Sequence, residues 1–495
     1  MLLSLDNILK QFVYNPKEPL IFSSGLFVFL FAGFLCGFWI LHKKHKLKII
    51  YTILFSLFFY YKSSGIYFLI LIGSTVVDYA LANMIWKAQS PWKRKALLVF
   101  SLIINLGMLG YFKYTNFLYE IFAGLTESNF EPLHIILPVG VSFFTFQSLS
   151  YTIDIYRKEI EPVKHIWDYA FFVSFFPQLV AGPIVRAKDF LPQVAKDPIV
   201  TAEMLGRGVF LICIGLFKKA VISDYISVNF VDRIFDNPTL YSGFECLMGV
   251  YGYALQIYCD FSGYSDMAIG VALLFGYELC KNFNSPYQSL NITEFWRHWH
   301  ISLSTWLRDY LYISLGGNRK GKWRTYFNLM LTMLLGGLWH GAGFKFILWG
   351  GLHGVALTGH KFYLEQKNAW SRLHTFFNTR GGKILAWFLT FHFVCFCWIY
   401  FRAGDMNNAA DVLGQIAFAF DISVLPQFVE GYPYIILLLM LGYALHLTPT
   451  RWEDRVRQEL TYAPLFAKGV AILLMIIIVI QVKSAEVLPF IYFQF

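Results

Sequence analysis

The stretch IYFLILIGSTVVDYALANMIW, residues 66–86, is apolar over almost its whole length and carries a single charged residue, Asp78. About 20 such residues in an α-helix cross the roughly 30 Å hydrocarbon core of a bilayer. Comparable apolar runs recur along the chain, at residues 20–41, 205–222, 343–363, 384–401 and 466–482. These runs predict an all-α, multi-pass integral membrane protein with about 11 transmembrane helices.

The overall composition points the same way. Of the 495 residues, 57% are hydrophobic and only 15% are charged, whereas a soluble domain carries about 25% charged residues. The formal net charge of +10 is concentrated in loops such as HKKHKLK (42–48) and KAQSPWKRK (87–95). The positive-inside tendency places such loops on the cytoplasmic side. We therefore expect the chain to be surrounded by membrane lipid and to have no nucleic-acid partner.

The cysteines carry no recognisable metal or disulfide pattern. They lie in or beside apolar runs and most of them stand alone, at positions 36, 213, 246, 259, 280, 395 and 397. A free cysteine in such a context behaves as a small buried hydrophobe. The sequence predicts neither a disulfide framework nor a metal site.

The chain 1–495 is predicted to form one membrane domain, because no polar connection is long enough to hold a soluble domain. The flanking stretches, about 1–133 and 365–495, are plain hydrophobic helices joined by charged loops, with the amphipathic linker TRWEDRVRQEL at 450–460. The stretch from about 134 to 364 is different, because many polar and helix-breaking residues occur within its apolar segments. We expect this stretch to be the functional core.

Helix breakers in this core predict an internal cavity. Pro138, Pro177, Gly182 and Pro183 lie within otherwise apolar segments. At membrane depth, irregular backbone is tolerated only where it is buried in protein or lines a water-filled cavity. We expect bent, re-entrant or interfacial helices around a central tunnel.

Three acids, Asp154, Asp260 and Asp266, also lie in apolar segments of the core. Intramembrane carboxylates face a cavity or a basic partner. One hypothesis is therefore a transporter or channel whose conducting path these acids line.

The segment KNFNSPYQSLNITEFWRHWHISLSTWLRDYLYISLGGNRKGKWRT (281–325) is too polar to span a membrane and too aromatic to lie free in water. Its seven Lys and Arg residues oppose only Glu294 and Asp309, which favours the cytoplasmic side. NITEFW is typical of a helix start, with Asn291 or Thr293 as the cap.

On a helix beginning at residue 293, Trp296, His300, Ser304 and then Leu307 or Arg308 follow each other at spacings of three or four, so they share one face. This pattern predicts a tilted interfacial helix with His300 pointing inward. The basic cluster 319–324 would then attract a phosphate-bearing partner. The alternative is a plain amphipathic surface helix.

A second histidine lies in LLGGLWHGAG (334–343), where His340 follows an apolar run. A buried polar group costs roughly 1–3 kcal/mol unless something bonds to it. His340 therefore either has a structural hydrogen-bond partner or a chemical role. Gly336, Gly337 and Gly341 would let another backbone or a slim substrate approach it.

Two other histidines, His353 and His392, lie in comparable apolar text. His353 follows His340 by 13 positions, which is about 140° around a continuous helix. One unbroken helix therefore cannot aim both side chains at the same point.

At these residues the chain resembles the membrane-bound O-acyltransferase family, and more narrowly its bacterial alginate O-acetyltransferase branch. The resemblance is dense over residues 138–354, and the closing FIYFQF (490–495) also looks like that branch. The motifs that carry it occur in the same order: PVGVSFFTFQSLSYTIDIYR, FFPQLVAGPI, DFSGYSDMAIG, NFNSPYQSLNITEFWRHWHISLSTWLRDYLYISLGGNR and LLGGLWHG.

The resemblance implies that His340 is the buried histidine of the family and that His300 is its second histidine. It also implies a bacterial inner (cytoplasmic) membrane enzyme that moves an acyl group from a thioester to a hydroxyl through a tunnel, with 134–364 as the catalytic core. In this branch the acetyl group reaches periplasmic, alginate-like polysaccharide by way of a relay protein. One departure is His298, which stands where relatives often have Arg or Lys.

A mechanism consistent with these residues uses neutral His340 as the base, a role that contributes about 10²- to 10⁴-fold. His300 either donates to the carbonyl oxygen or orients His340. The cytoplasmic donor is expected to be acetyl-CoA or an acylated carrier protein, with no bound cofactor. Candidate donor- or substrate-binding residues are Trp296, Arg297, Trp299, Asn284, Ser304, Arg308 and Asp260, with Arg319, Lys320 and Arg324 as further phosphate contacts.

A related hypothesis within the same family is the transfer of D-alanine from a carrier protein to teichoic acid. It would keep the buried histidine and change the acyl donor and acceptor. The sequences LYISLGGNR and YFQF favour the acetyl branch.

Overall fold

The computed structural model describes residues 5–16, 18–366 and 368–482, so the closing FIYFQF lies outside the described residues. Within those ranges the protein is all-α and has no β-strand. The α-helices in chain order are α1 (Leu5–Phe12), α2 (Gly25–Ile40), α3 (His45–Ser64), α4 (Phe68–Lys87), α5 (Pro91–Thr126), α6 (Val141–Arg157), α7 (Ile166–Ser174), α8 (Phe176–Leu179), α9 (Ala187–Val194), α10 (Ala202–Leu216), α11 (Asp224–Ile226), α12 (Asp232–Asp236), α13 (Gly243–Leu273), α14 (Ile292–His298), α15 (Ile301–Trp306), α16 (Lys322–His340), α17 (Phe344–Glu365), α18 (Ser371–Asn378), α19 (Arg380–Arg402), α20 (Met406–Phe418), α21 (Leu425–Gly431), α22 (Pro433–Leu447), α23 (Thr450–Tyr462) and α24 (Leu465–Val482).

Short segments of other helical types connect some of these helices. The chain forms 3₁₀ turns at Gly65–Tyr67, Pro238–Leu240, Pro286–Gln288 and Ile422–Val424. It forms π-helical segments at Phe217–Ser223, Ser227–Val231 and Leu307–Tyr312.

The predicted apolar runs all lie in helices, but the number of crossings stays a prediction. Four helical stretches in the described ranges are long and apolar enough to span a bilayer: His45–Lys87, which joins α3 and α4, then α5, α19 and α24. The number rises to six if the bent pairs α20 with α21 and α22 with α23 each count as one span. About 11 crossings are therefore not confirmed.

The longest core helix, α13, begins at a capping box in which Ser242 accepts from the Glu245 N–H and the Glu245 carboxylate accepts from the Ser242 N–H. Almost all of α13 is buried, and it packs closely against α10. A Cβ atom added at Gly215 would lie 2.6 Å from the carbonyl oxygen of Gly263. Paired small residues therefore let the two backbones touch, as in membrane helix packing.

The prediction of irregular backbone in the core is confirmed at Pro138, Pro177 and Pro183. The chain is non-helical from Ser128 to Gly140, and α7 breaks from α8 at Phe175. Gly140 has φ +74°, and a Cβ there would lie 2.6 Å from the carbonyl oxygen of Leu179. The two irregular segments therefore pack directly against each other.

The helices α16 and α17 form a tight hairpin with only residues 341–343 between them. A Cβ at Gly337 would overlap the carbonyl oxygen of Phe346 and lie 3.1 Å from the Cα of Gly350. Gly341 faces the ring of Phe346 at similarly close range. These glycines therefore serve close packing within the hairpin, the backbone approach that the sequence had predicted for them.

Candidate active site

His340 is the last residue of α16, and its side chain is only 3% exposed. It lines a small cavity of about 60 Å³, here named the His340 cavity. The rest of the wall comes from residues 137–143, where the irregular segment meets the start of α6, from Val180, and from Lys113 and Trp339. The bent segments predicted to surround an internal cavity therefore bound the one that reaches His340.

The end of α16 is held by side chains of α5. The ammonium of Lys113 donates to the carbonyl oxygens of Trp339, at 2.6 Å, and of His340, at 2.9 Å. The hydroxyl of Tyr114 donates to the carbonyl of Leu338 at 2.8 Å. A cation at a helix C-terminus satisfies carbonyls that have no partner inside the helix. These contacts fix the position of the backbone that carries His340.

The imidazole of His340 lies among aromatic rings. Its centroid is 5.0 Å from that of Trp339, 5.0 Å from that of Trp349 and 5.2 Å from that of Phe401. All three rings meet it at steep angles, the arrangement that aromatic pairs prefer. The imidazole is therefore held in a largely apolar surrounding.

His300 is fully buried and lies at a break between α14 and α15, with φ +44°. The prediction of one continuous helix through residues 296–304 is therefore wrong. The break is stabilised by pairing with an extended segment: the N–H of Ile301 donates to the carbonyl of Asn282, and the N–H of Asn284 donates to that of His298. The predicted cap is confirmed, because the Asn291 side chain accepts from the Glu294 N–H at 2.9 Å.

The side chain of Asn282 determines which nitrogen of His300 carries the proton. Its Oδ1 accepts from the backbone N–H of Ser302 at 3.3 Å, and its Nδ2 donates to the hydroxyl of Ser265 at 3.1 Å. A backbone N–H can only donate, so the amide orientation is fixed. The Nδ1 of His300 lies 3.0 Å from the same Oδ1 and must therefore donate to it. In the neutral ring the lone pair is on Nε2.

Both histidines lie beside Trp339. The centroid of His300 is 6.2 Å from that of Trp339 and 4.6 Å from that of Phe261. The fold therefore brings together the two residues that the sequence analysis had named as catalytic candidates.

A second cavity, of about 410 Å³ and here named the Trp296 cavity, lies at another level of α16. It contacts α16 at Leu329, Thr332 and Met333, about 10 Å along the helix axis from His340. Its lining includes most of the residues predicted to share a helix face, namely Trp296, Ser304, Leu307 and Arg308. Arg297 and Lys361 add positive charge to the same cavity.

An aromatic partition separates the two cavities. Trp296 lines the Trp296 cavity, and its ring centroid is 5.7 Å from that of Trp349, which contacts His340 on the other side. The indole N–H of Trp296 donates to Nδ1 of His353 at 3.3 Å. His353 is therefore a positioning residue for this wall. Trp349 also lies between His340 and His353, as expected if one helix cannot aim both at one point.

The mouth of the Trp296 cavity is reinforced by an ion-pair cluster. Asp309 accepts from Arg186 and from Arg308, both at 2.6 Å. Burial alone would raise the pKa of the Asp309 carboxyl, but the two guanidinium groups outweigh burial and hold that pKa below its usual value. Asp309 therefore remains ionised at neutral pH and keeps Arg308 at the rim.

Three predicted binding residues lie outside both cavities. Trp299 is buried against Phe295, Phe283 and Trp398 rather than beside a donor. Asn284 is half-buried, and its Oδ1 accepts from Lys281 at 2.8 Å. Asp260 forms a buried ion pair with Lys219.

The acids suggested for a conducting path each have a separate partner. Asp260 pairs with Lys219, Asp266 with Lys218 at 2.7 Å, and Asp154 accepts from the Tyr310 hydroxyl at 2.9 Å. They stabilise contacts between helices and do not form one row along a shared path.

The structure adds residues that sequence reasoning missed: Asn282, Lys113, Trp349 and Lys361. In the NFN motif Asn282 and Asn284 carry the same side chain two positions apart, so no sequence signal separates them. The role of Lys113 depends on a contact between residues more than 200 positions apart.

Comparison with known proteins agrees with this arrangement. The family model for the membrane-bound O-acyltransferase family matches residues 144–403, which include both histidines and the lining of the Trp296 cavity. The chain is 42% identical to the peptidoglycan O-acetyltransferase of Helicobacter pylori, over 83% of this chain and 81% of that protein. It is 36% identical to a probable alginate O-acetylase of Pseudomonas putida, over 96% and 100% of the two chains.

A more distant relative is the teichoic acid D-alanyltransferase of Bacillus subtilis, which is 31% identical over 57% of this chain and 73% of its own. The family match, the relatives and the buried histidine pair agree on one class of protein and exclude the transporter hypothesis. The chain belongs to the membrane-bound O-acyltransferase family and is a membrane O-acyltransferase.

Proposed function

We propose that this enzyme moves an acetyl group from a cytoplasmic thioester to a hydroxyl that enters the His340 cavity. The phosphate-bearing part of the donor binds in the Trp296 cavity, and its thioester end extends past Trp296 and Trp349 to His340. The observation that carries the proposal is the position of His340 and His300 beside Trp339, with one cavity at His340 and the other about 10 Å along α16. Such an arrangement suits two substrates that arrive from different sides of the membrane.

In the proposed reaction, His340 takes the proton of the acceptor hydroxyl as its oxygen attacks the thioester carbonyl. A new C–O ester bond forms, the C–S bond breaks, and the proton passes to the departing thiolate. His300 donates Nδ1–H to Asn282, so its Nε2 accepts. This supports an orienting role for His300 and disfavours its donating to the carbonyl oxygen while it is neutral.

The donor is proposed to be acetyl-CoA or an acylated carrier protein, both of which carry phosphate groups. Arg297, Arg308 and Lys361 line the Trp296 cavity and provide cations for such groups. The basic cluster 319–324 lies outside that lining, although its neighbour Asn318 belongs to it. The cavity is therefore the preferred donor site, and the cluster a secondary one.

The acceptor is proposed to be a polysaccharide outside the inner membrane, reached through a periplasmic relay protein. Relatives named for acetylating peptidoglycan and alginate align over most of this chain, whereas the D-alanyltransferase aligns over 57% of it. This difference in coverage supports acetyl transfer over D-alanyl transfer.

Substitution of the proposed base tests the mechanism directly. We expect His340→Ala to lower glycan O-acetylation by about 10²- to 10⁴-fold, because proton abstraction is lost. The measurement is ester-linked acetate released from isolated glycans, with the amount of protein in the membrane checked by immunoblot. His392→Ala is the matched control, because His392 pairs with Tyr251 away from both cavities. Near-normal acetylation in His340→Ala would remove His340 from the chemistry.

The acceptor glycan is identified by a gene deletion in the native host. Ester-linked acetate would be measured separately in peptidoglycan and in exported polysaccharide, and the wild-type gene restored as control. Loss of acetate from one pool names the acceptor. Loss of ester-linked D-alanine with acetate unchanged would favour the teichoic acid hypothesis.

A further inference from the structure

A third cavity, of about 280 Å³, lies away from the two candidate catalytic histidines. It is bounded by α10, the π-helical segment Phe217–Ser223, α13, α22 and α23, and it shares no lining residue with the His340 cavity or the Trp296 cavity. We propose that this cavity binds one membrane phospholipid, whose phosphate or ester oxygens accept hydrogen bonds from His446 and Lys218. Nothing in the proposed acyl transfer requires this site.

The first evidence is a hydrogen-bond donor on His446 that has no protein acceptor. The backbone N–H of Tyr287 donates to Nε2 of His446 at 3.1 Å, so Nε2 carries the lone pair and the neutral ring carries its hydrogen on Nδ1. Nδ1 has no hydrogen-bond partner in the described part of the chain, and the side chain is only 6% exposed. A buried N–H group of this kind needs a hydrogen-bond acceptor, and we infer that a bound ligand provides it.

The second donor is the ammonium of Lys218, which lines the same cavity. It forms an ion pair with Asp266 at 2.7 Å and lies 5.5 Å from the ring centroid of Tyr258. The Tyr258 ring in turn lies 4.5 Å from that of His446. An ammonium has three N–H donors, so donors remain beyond the bond to Asp266. His446 and Lys218 therefore offer a polar end suited to an anionic or ester group.

The rest of the wall is apolar and suits an acyl chain. Phe210 and Ile214 on α10 face Leu445 on α22 and Val456 on α23 across the cavity. A free phosphate ion would leave this surface wet, whereas an acyl chain would remove it from water. The ligand is therefore an amphiphile with an oxygen-rich head.

The helices that bound the cavity favour a lipid as this amphiphile. The axes of α22 and α23 meet at 89°. If the apolar α22 crosses the bilayer, the amphipathic α23 lies along its surface. Trp452 on α23 is about half exposed, as is typical of residues at the lipid headgroups. We therefore place the cavity at the depth where phospholipid phosphates and esters lie.

Native mass spectrometry of the full-length protein tests this proposal. The protein would be purified in detergent, washed free of loosely bound lipid, and offered phosphatidylglycerol in mixed micelles. Val456→Trp fills the cavity from α23, and Ile214→Trp fills it from α10. Gln458→Trp adds the same side chain to α23 at a position outside the lining.

We expect the wild type and Gln458→Trp to retain one phosphatidylglycerol, and both filling variants to retain about tenfold less, because the acyl chain loses its space. Two filling variants on different helices are used, so that the result does not depend on one variant that misfolds. Size-exclusion chromatography checks that each variant is folded. Equal retention in the filling variants and the wild type would overturn the proposal. Displacement of the lipid by inorganic phosphate alone, or occupation by detergent only, would overturn it as well.

Discussion

At the scale of single residues, Asn282 determines which ring nitrogen of His300 donates a hydrogen bond, because the orientation of the Asn282 amide is itself fixed. Asn282 is held by Ser302 and Ser265, so it presents an acceptor to the histidine and never a donor. Loss of such a bond would let the imidazole choose either tautomer. The reactivity of the histidine pair therefore depends on an amide that need not touch either substrate.

Replacement of Asn282 tests this positioning role. We expect Asn282→Leu to lower the acetyl-transfer rate by about 10- to 100-fold, because one buried hydrogen bond to His300 is lost and its tautomer is no longer fixed. The measurement is kcat and KM for the acetyl donor as a function of pH.

Asn284→Leu is the matched control, since Asn284 carries the same side chain and bonds to Lys281 instead. If Asn282 had only a structural role, Asn282→Leu would lower the amount of folded enzyme, and the enzyme that did fold would keep the wild-type pH profile. An equal loss in both variants, or an unchanged pH profile in Asn282→Leu, would contradict the assignment.

At the residue scale, the sequence singles out candidates where a residue type is rare in its surroundings, and their catalytic role stays a prediction. His340 and His300 stand out because a histidine in apolar text needs a reason. Asn282 does not stand out, because the NFN motif contains two asparagines with the same side chain. Only the backbone hydrogen bonds to the segment 298–301 distinguish their positions.

At the scale of elements, the α16–α17 hairpin sets the distance between His340 and the wall that contains Trp349. Gly337 and Gly350 let the two helices approach at backbone contact. Both helices contribute aromatic residues to the partition. A larger distance between α16 and α17 would therefore open a gap beside His340. The glycines therefore act on the site through helix separation.

Substitution at the crossing is expected to destabilise the protein. Gly337→Ala places a methyl group against the Phe346 carbonyl, and overpacking of this kind costs about 1–3 kcal/mol. The measurement is the midpoint of thermal denaturation in detergent, together with acetyl-transfer activity.

Gly351→Ala is the control on α17, because its new methyl group would meet only Leu334, at an ordinary 3.6 Å. If Gly337→Ala had the same denaturation midpoint as the control, α16 and α17 could move apart without a loss of stability.

Most helices were predictable from the sequence, and the break at His300 was not. Apolar runs of about 20 residues mark α4, α17, α19 and α24 well, because burial in lipid requires such runs. The chain around His300 contains neither glycine nor proline, so local sequence favours a continuous helix there. Its left-handed conformation depends on hydrogen bonds to Asn282 and Asn284, which lie outside the helix.

At the scale of the whole molecule, two cavities meet α16 at different heights and differ in chemistry. The Trp296 cavity carries Arg297, Arg308 and Lys361 at its wall, whereas the His340 cavity carries one cation, Lys113, whose ammonium already bonds to backbone carbonyls. A phosphate-bearing donor is therefore favoured in the first and a neutral hydroxyl in the second.

Charge reversal distinguishes the cavity from the basic cluster as the donor site. We expect Arg297→Glu to raise KM for the donor about five- to tenfold at low salt and less at high salt, because a screened attraction becomes a repulsion. Donor KM would be measured in detergent at several salt concentrations.

Arg319→Glu is the matched control within the cluster 319–324, which lies outside the cavity wall. We expect its donor KM to stay within about twofold of wild type, because screening weakens a charge beyond the site. A larger effect for Arg319→Glu than for Arg297→Glu would move the donor site to the cluster.

The class of fold was predictable from composition, because 57% hydrophobic and 15% charged residues leave few alternatives to a membrane protein. The placement of the cavities was not, since each is lined by residues from four or more separated segments. The pairing of Lys218 with Asp266 and of Lys219 with Asp260 likewise depends on how α13 packs on its neighbours.

The wall formed by Trp296 and Trp349 also bears on the electrical insulation of the cell. One elementary charge that crosses an energised bilayer releases about 2.3 kcal/mol per 100 mV, so a continuous column of water through the protein would drain the proton gradient. The edge-to-face pair of Trp296 and Trp349 places apolar surface between the Trp296 cavity and His340, and apolar surface disfavours such a column. Under the proposed function, we expect the enzyme to pass acyl groups while the membrane stays charged.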